Sequence, residues 1–228
     1  MTPWDNIKGV LFDLDGVITA TARLHDQAWQ SIAEKVQAPW TPALQASLKG
    51  IDRMHALELI LQAAGVAQAY SPAEKQALAA AKNQRYLELV QQLTPTDILP
   101  GIRVFLDQLQ QHGYQIALAS ASKNAPTVLH QLGLAAFFPK IVDPNTLTKG
   151  KPAPEIYQKA AALLHLAPDQ CVGIEDAAAG VAAINASGAL SVGIGAAQEL
   201  AAADVVFAST AELTLPHLQQ VFGGGVRG

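Results

Sequence analysis

Short continuous apolar runs separated by stretches of helical spacing constrain this chain more than any other feature. They fall at 8–13, 116–119, 140–142, 171–174 and 190–194. None is long enough for a helix, and none alternates with polar residues as a strand with one wet face would. Runs of that kind suit strands buried on both faces of a parallel sheet. After Pro154, residues Ile156, Ala160, Leu163 and Leu164 fall at i, i+4, i+7 and i+8, a stripe able to cover one side of such a sheet. Strand and helix in repeated alternation predict an α/β fold with a Rossmann-like parallel-sheet core.

Between about residues 22 and 93 strands disappear. Leu24, Ala28, Ile32 and Val36 form one helical stripe, Met54, Leu57, Leu61 and Ala64 a second, and Tyr86, Leu89, Val90 and Leu93 a third. The flanks 19–21 and 94–100 are short and turn-forming, as hinges would be. The expected organisation is an α/β core domain of 1–19 and 94–228 with an inserted all-helical cap domain of 20–93. At 228 residues and 50% hydrophobic the chain can bury a real core. A formal net charge of -4 argues against nucleic acid or an anionic membrane as partner. The single cysteine, Cys171, cannot close an internal disulfide, and no apolar stretch reaches membrane-spanning length. A cytoplasmic protein without nucleic-acid or membrane partners is expected. Nothing in the helical stripes demands a second subunit, so the expectation is a monomer.

Chemistry is concentrated in V-L-F-D-L-D-G-V at 10–17. Two carboxylates, Asp13 and Asp15, leave the end of a buried strand, and strand alternation puts them on one side. Ligands of open α/β sheets bind at the carboxyl ends of strands. Three further features stand in order along the chain: Ser120 closing I-A-L-A-S and the pair Glu175-Asp176, each at or just beyond a strand end, and Lys151 in K-G-K-P, which precedes the helix begun near Pro154. Taken singly these read equally as a turn serine, a solvated lysine and acids favouring a helix N-terminus.

Taken together, and in this order, they resemble the haloacid dehalogenase superfamily over nearly the whole chain. The resemblance implies magnesium-dependent phosphoryl transfer. Asp13 is the nucleophile and Asp15 the general acid and base, while Ser120 and Lys151 hold the phosphoryl oxygens. Asp13, the backbone carbonyl of Asp15, and Asp176 act as metal ligands, with Glu175 close behind or bound through water. The physics agrees with the set, because a transferring phosphoryl group spreads negative charge that needs fixed cations and donors.

A finer resemblance, to the beta-phosphoglucomutase family, rests on F-D-L-D-G-V-I-T, L-K-G-I-D-R at 48–53, A-L-A-S-A-S-K-N at 117–124 and K-P-A-P-E at 151–155. It implies interconversion of beta-glucose 1-phosphate and glucose 6-phosphate through glucose 1,6-bisphosphate. Ala121, Ser122, Lys123 and Asn124, with Gly50 and Arg53 of the cap, then bind substrate and its non-reacting phosphate. Thr21 at the hinge, His25 and Lys82 join the catalytic group. Without the resemblance His25 reads as a structural histidine and Lys82 as a solvated helix lysine, and Trp29 reads as cap core in either case. The chain departs from the family pattern at Ala20, where an aspartate is common in the hinge. Two other readings stand beside the mutase: a capped phosphatase for small sugar phosphates, with water as acceptor, and a non-catalytic sugar-phosphate sensor.

Overall fold

The structure, a computed structural model, describes residues 3–48 and 53–223. The chain divides into two units, Met1–Ala20 with Leu93–Gly228, and Thr21–Gln92. The first unit begins with β1 (Gly9–Phe12). The second holds α1 (Ala22–Lys35), α2 (Pro42–Ser47), α3 (Arg53–Ala63) and α4 (Pro72–Val90). The chain then returns to the first unit as α5 (Ile102–Gln111), β2 (Gln115–Leu118), α6 (Ala125–Gln131), α7 (Glu155–Leu163), β3 (Cys171–Glu175), α8 (Ala178–Ser187), β4 (Leu190–Ile194), β5 (Val205–Phe207) and α9 (Leu215–Gly223).

The five strands form one parallel sheet in the order β2-β1-β3-β4-β5. β1 is buried throughout, which is why its sequence is continuously apolar. Its two faces meet different layers. Leu11 packs with Tyr157 and Ala160 of α7 and Ile184 of α8, whereas the Phe12 ring meets Phe105 of α5 at 5.9 Å and Phe138 edge-on at 5.6 Å. Because the chain passes from β1 to a neighbour on one side and later to β3 on the other, the strand order reverses at β1. A crevice at the carboxyl ends is expected there. The ladder runs one residue past the strands: Asp13 N–H donates to Ile174 O at 3.1 Å and Ala119 N–H to Phe12 O at 2.7 Å.

Two sheet expectations need correction. Residues 140–142 form no strand; Ile141 makes a single bridge to Leu118, held by Leu118 N–H to Lys140 O and Val142 N–H to Leu118 O. The fifth strand is instead β5, on the sheet edge beyond β4. Val205 and Val206 are half-buried and Phe207 is buried, and the apolar run that marks the strand is only three residues long.

In the helical unit, α4 starts at a capping box. Ser71 Oγ accepts from Glu74 N–H, and the Glu74 carboxylate accepts from Ser71 N–H at 2.8 Å, satisfying amides that the helix leaves unpaired. Trp29, Ile32, Leu57, Ile60, Leu61 and Leu78 belong to this unit's core, so Trp29 is core as read. The α3 stripe is shifted, however. Met54 is 44% exposed, and the buried face is Ala56, Leu57, Ile60 and Leu61. Helix α2, begun by Thr41 Oγ1 accepting from Leu44 N–H and by Pro42, was not foreseen. Among the described residues no helix is long and apolar enough to cross a membrane.

Candidate active site

β1 stops at Phe12, so Asp13 and Asp15 lie beyond the strand and its alternation does not reach Asp15. Asp13 is buried at the strand end, while Asp15 sits half-buried in a turn closed by Ile18 N–H to Leu14 O and Gly16 N–H to Thr19 O. Gly16 takes φ +73°, and a Cβ there would lie 1.8 Å from Asp176 Oδ2. The turn therefore passes Asp176 only because the residue is glycine.

Lys151 joins the carboxylates. Its Nζ donates to Asp13 Oδ1 at 2.7 Å and to Glu175 Oε1. Glu175, at the end of β3, is almost fully buried with both oxygens engaged. Oε1 also accepts from the Tyr157 hydroxyl at 3.1 Å, and Oε2 accepts from the N–H groups of Asp176 and Ala177 at 2.9 and 3.0 Å. Single carboxylate oxygens of Asp13, Glu175 and Asp176 lie within 4.8 Å of one another.

This grouping carries excess negative charge. Burial, partly offset by Lys151, raises the Asp13 carboxyl to about 6. Burial, reinforced by Glu175 and Asp13, raises Asp176 to about 7. Burial alone would lower the Lys151 ammonium, but Asp13 and Glu175 together move it above its ordinary value. Three ionised carboxylates against one ammonium leave two unbalanced negative charges. Such an all-oxygen donor set fits a hard divalent cation, which would hold both aspartates ionised.

Beside Asp13, the loop after β2 carries the other proposed phosphate-binding residues. Ser120 is buried, and its Oγ accepts from Ser122 N–H at 3.1 Å; Ser122 Oγ in turn accepts from Asn124 N–H at 3.3 Å, just before α6. Ala121 and Lys123 are exposed. Lys151 itself rides on a loop tied down by Glu155. Glu155 Oε2 accepts from Thr148 N–H, the Thr148 hydroxyl and Lys149 N–H at 2.8–2.9 Å.

The helical unit holds a second polar cluster. Lys82 Nζ is 2.8 Å from His25 Nδ1 and lies over the rings of Trp29 and Tyr86 at 4.9 and 5.0 Å, and His25 packs on Tyr86 at 4.1 Å between centroids. Lys82 is buried, against the sequence-only reading of a solvated lysine. Thr21 is buried at the start of α1, where its carbonyl accepts from Leu24 and His25 N–H. Arg53 is exposed and donates to Asn83 Oδ1 at 2.7 Å. Gly50 lies outside the described residues.

An ammonium has hydrogens only to give, so Nδ1 of His25 accepts and the ring proton belongs on Nε2. Burial first, then the charges of Lys82 and Arg53, lowers His25 to about 3. Nitrogen-15 NMR is expected to show a neutral Nε2–H tautomer without titration between pH 8 and 5. The unfolded chain takes up this proton below its ordinary value of 6.5. The neutral ring's contribution to stability is thus complete above 6.5 and is lost as pH falls toward 3. A midpoint near 6.5 would show that the Lys82 contact does not persist in solution.

Sequence reasoning missed Tyr157 and Glu155 as contributors. Both lie in K-P-A-P-E-I-Y, where the hydroxyl on an inward-facing aromatic of α7 was the available signal.

The family model for haloacid dehalogenase-like hydrolases matches residues 7–188. A beta-phosphoglucomutase of Bacillus subtilis (strain 168) is 47% identical over 214 residues, covering 94% of this chain and 95% of that protein. A phosphorylated carbohydrates phosphatase of Thermotoga maritima is 27% identical over 184 residues, 80% of this chain and 82% of that one. The crystal structure of a beta-phosphoglucomutase from Clostridium difficile superposes with a TM-score of 0.87 at 40% identity, covering 95% of this chain and 97% of that chain.

Proposed function

The chain belongs to the beta-phosphoglucomutase family of haloacid dehalogenase-like hydrolases, and we propose on that premise that it interconverts beta-glucose 1-phosphate and glucose 6-phosphate with a phosphoryl group carried on Asp13. The observation that carries this reading is the contact of Asp13 Oδ1 with Lys151 Nζ inside an acidic cluster at the carboxyl ends of β1 and β3.

Asp13 attacks phosphorus as the bond to the bridging oxygen breaks, giving an aspartyl phosphate. Asp15 gives a proton to the departing oxygen and later takes one from the attacking sugar hydroxyl. Lys151 exchanges part of its contact with Asp13 for the equatorial phosphoryl oxygens, and Ser120 donates its hydroxyl to them. Asp13, the carbonyl of Asp15 and Asp176, with Glu175 behind, would hold magnesium, which would supply the positive charge that lets an anionic nucleophile meet an anionic phosphate. Ala121, Ser122, Lys123 and Asn124 of the core, with Gly50 and Arg53 of the helical unit, take the sugar phosphate and its non-reacting phosphate. Thr21, His25 and Lys82 are assigned, on the family pattern, to coupling the sugar with Asp15. Glucose 1,6-bisphosphate is both intermediate and primer.

Phosphorus NMR with magnesium, beta-glucose 1-phosphate and a trace of the bisphosphate is expected to show glucose 6-phosphate outpacing inorganic phosphate, dependent on the primer and abolished by EDTA. The similarity to a carbohydrate phosphatase favours a second reading, hydrolysis. Inorganic phosphate as the main product would establish it in place of the mutase.

A further inference from the structure

Glu175 receives four hydrogen bonds, and only one comes from a side chain without charge. That donor is Tyr157, two residues beyond Glu155 on α7. Its ring is fully buried among Leu11, Ala117, Ala160 and Ile184. The core fixes where its hydroxyl can point, which is at Glu175 Oε1, 3.1 Å away. Lys151 Nζ donates to this same oxygen. Lys151 also lies over the face of the Tyr157 ring, 5.1 Å from its centroid, a cation–π position. Tyr157 thus touches both members of the ion pair through different parts of one rigid side chain, yet it contacts neither Asp13 nor Asp176 in any bond described above.

The consequence follows from competition at one atom. A carboxylate oxygen that already accepts from a phenol is a weaker acceptor for an ammonium than one accepting from nothing else. Without the phenol, Glu175 Oε1 would draw Lys151 more strongly, and the contact to Asp13 Oδ1 at 2.7 Å would lose. Phosphoryl transfer needs Lys151 where charge develops, beside Asp13, because only interactions that strengthen in the transition state raise kcat.

We propose that Tyr157 is a positioning residue for phosphoryl transfer: its hydroxyl restrains Glu175 Oε1 and its ring supports the Lys151 ammonium, so that Lys151 is shared with Asp13 instead of being captured by Glu175. The inference rests on the functional reading given above, with Asp13 as nucleophile.

The test is Tyr157→Phe, which removes one oxygen and keeps the ring. Purified wild type and variant are compared in kcat and KM for beta-glucose 1-phosphate under saturating primer, in thermal midpoint, and in magnesium chloride binding by calorimetry without substrate. The expected result is a kcat lowered roughly 3- to 15-fold, the worth of one hydrogen bond, with KM within about twofold and an unchanged midpoint. Magnesium should bind about two- to fivefold more tightly, because an Asp13 less neutralised by Lys151 attracts the cation more strongly. An unchanged kcat and magnesium affinity would overturn the proposal. So would a lowered midpoint with kcat and KM both altered and magnesium affinity unmoved, which would make Tyr157 a packing residue. Absence of glucose 6-phosphate from the wild type would instead defeat the functional reading; an active wild type beside an indifferent Y157F defeats this inference alone.

Discussion

Replacing Asp13 with asparagine is expected to lower turnover by about four to six orders of magnitude, the scale on which loss of a covalent nucleophile registers. The amide matches the carboxylate in shape, so the strand end and the turn that follows should hold, but it offers no anionic oxygen to phosphorus. The same substitution should leave the protein more stable. Burial raises the Asp13 carboxyl from 3.8 to about 6 in the folded chain even with Lys151 beside it. A group raised in this way binds its proton more tightly folded than unfolded, so stability falls as pH climbs from 3.8 through about 6. At pH 7.5 without magnesium the wild type therefore carries a penalty on the order of 3 kcal/mol that the neutral amide escapes. The thermal midpoint of D13N in EDTA should exceed that of the wild type while phosphorus NMR shows no turnover. Near-normal activity would refute Asp13 as nucleophile, and a lower midpoint would mean that the Lys151 contact outweighs the burial of charge.

The second large effect is expected from Lys151→Met, and it has two opposite signs. Removal of a preorganised cation from the phosphoryl oxygens should cost roughly 100- to 1,000-fold in kcat. Magnesium should nevertheless bind more tightly. Lys151 is the ammonium facing Asp13 and Glu175, and without it the carboxylates of Asp13, Glu175 and Asp176 confront each other uncompensated. The magnesium-free variant should consequently unfold at a lower temperature and recover more on adding magnesium than the wild type does. Calorimetry and thermal unfolding with and without magnesium read both effects. Weaker magnesium binding in K151M would show that Lys151 organises the ligands more than it repels the cation.

What could be read from the sequence followed the strength of the local signal. The runs that became β1, β2, β3 and β4 are buried almost throughout, and full burial on two faces leaves an unmistakable apolar record. The apolar record of β5 is only Val205, Val206 and Phe207, too short to stand out, and 140–142 show the reverse, an apolar stretch that makes one bridge and then leaves the sheet. Met54 extends an apolar spacing into the first turn of α3, where the structure leaves it exposed. In the site, Asp13, Glu175 and Asp176 could be singled out because each is polar at the end of an apolar segment, and Lys151 because it stands in K-G-K-P just ahead of a helix. Tyr157 could not, since a tyrosine on a buried stripe looks like any core aromatic until its hydroxyl is seen to meet Glu175. The His25–Lys82 contact was hidden for a related reason: the two residues are 57 positions apart, and no local pattern announces that a helix lysine is buried.

The sheet order also has a consequence for how the protein is made. Both neighbours of β1 follow it at long range: β2 lies beyond the whole helical unit, and β3 begins only at Cys171. A nascent chain growing at about 5–20 residues per second leaves Gly9–Phe12 an apolar strand with both edges open for roughly 5 to 20 seconds, until β2 is made, and with its β3 edge open for roughly 8 to 30 seconds. The unit Thr21–Gln92 is complete much earlier and has its own core. Synthesis therefore passes through a state with a finished helical insert and an orphaned first strand, in which the protein is most vulnerable to aggregation.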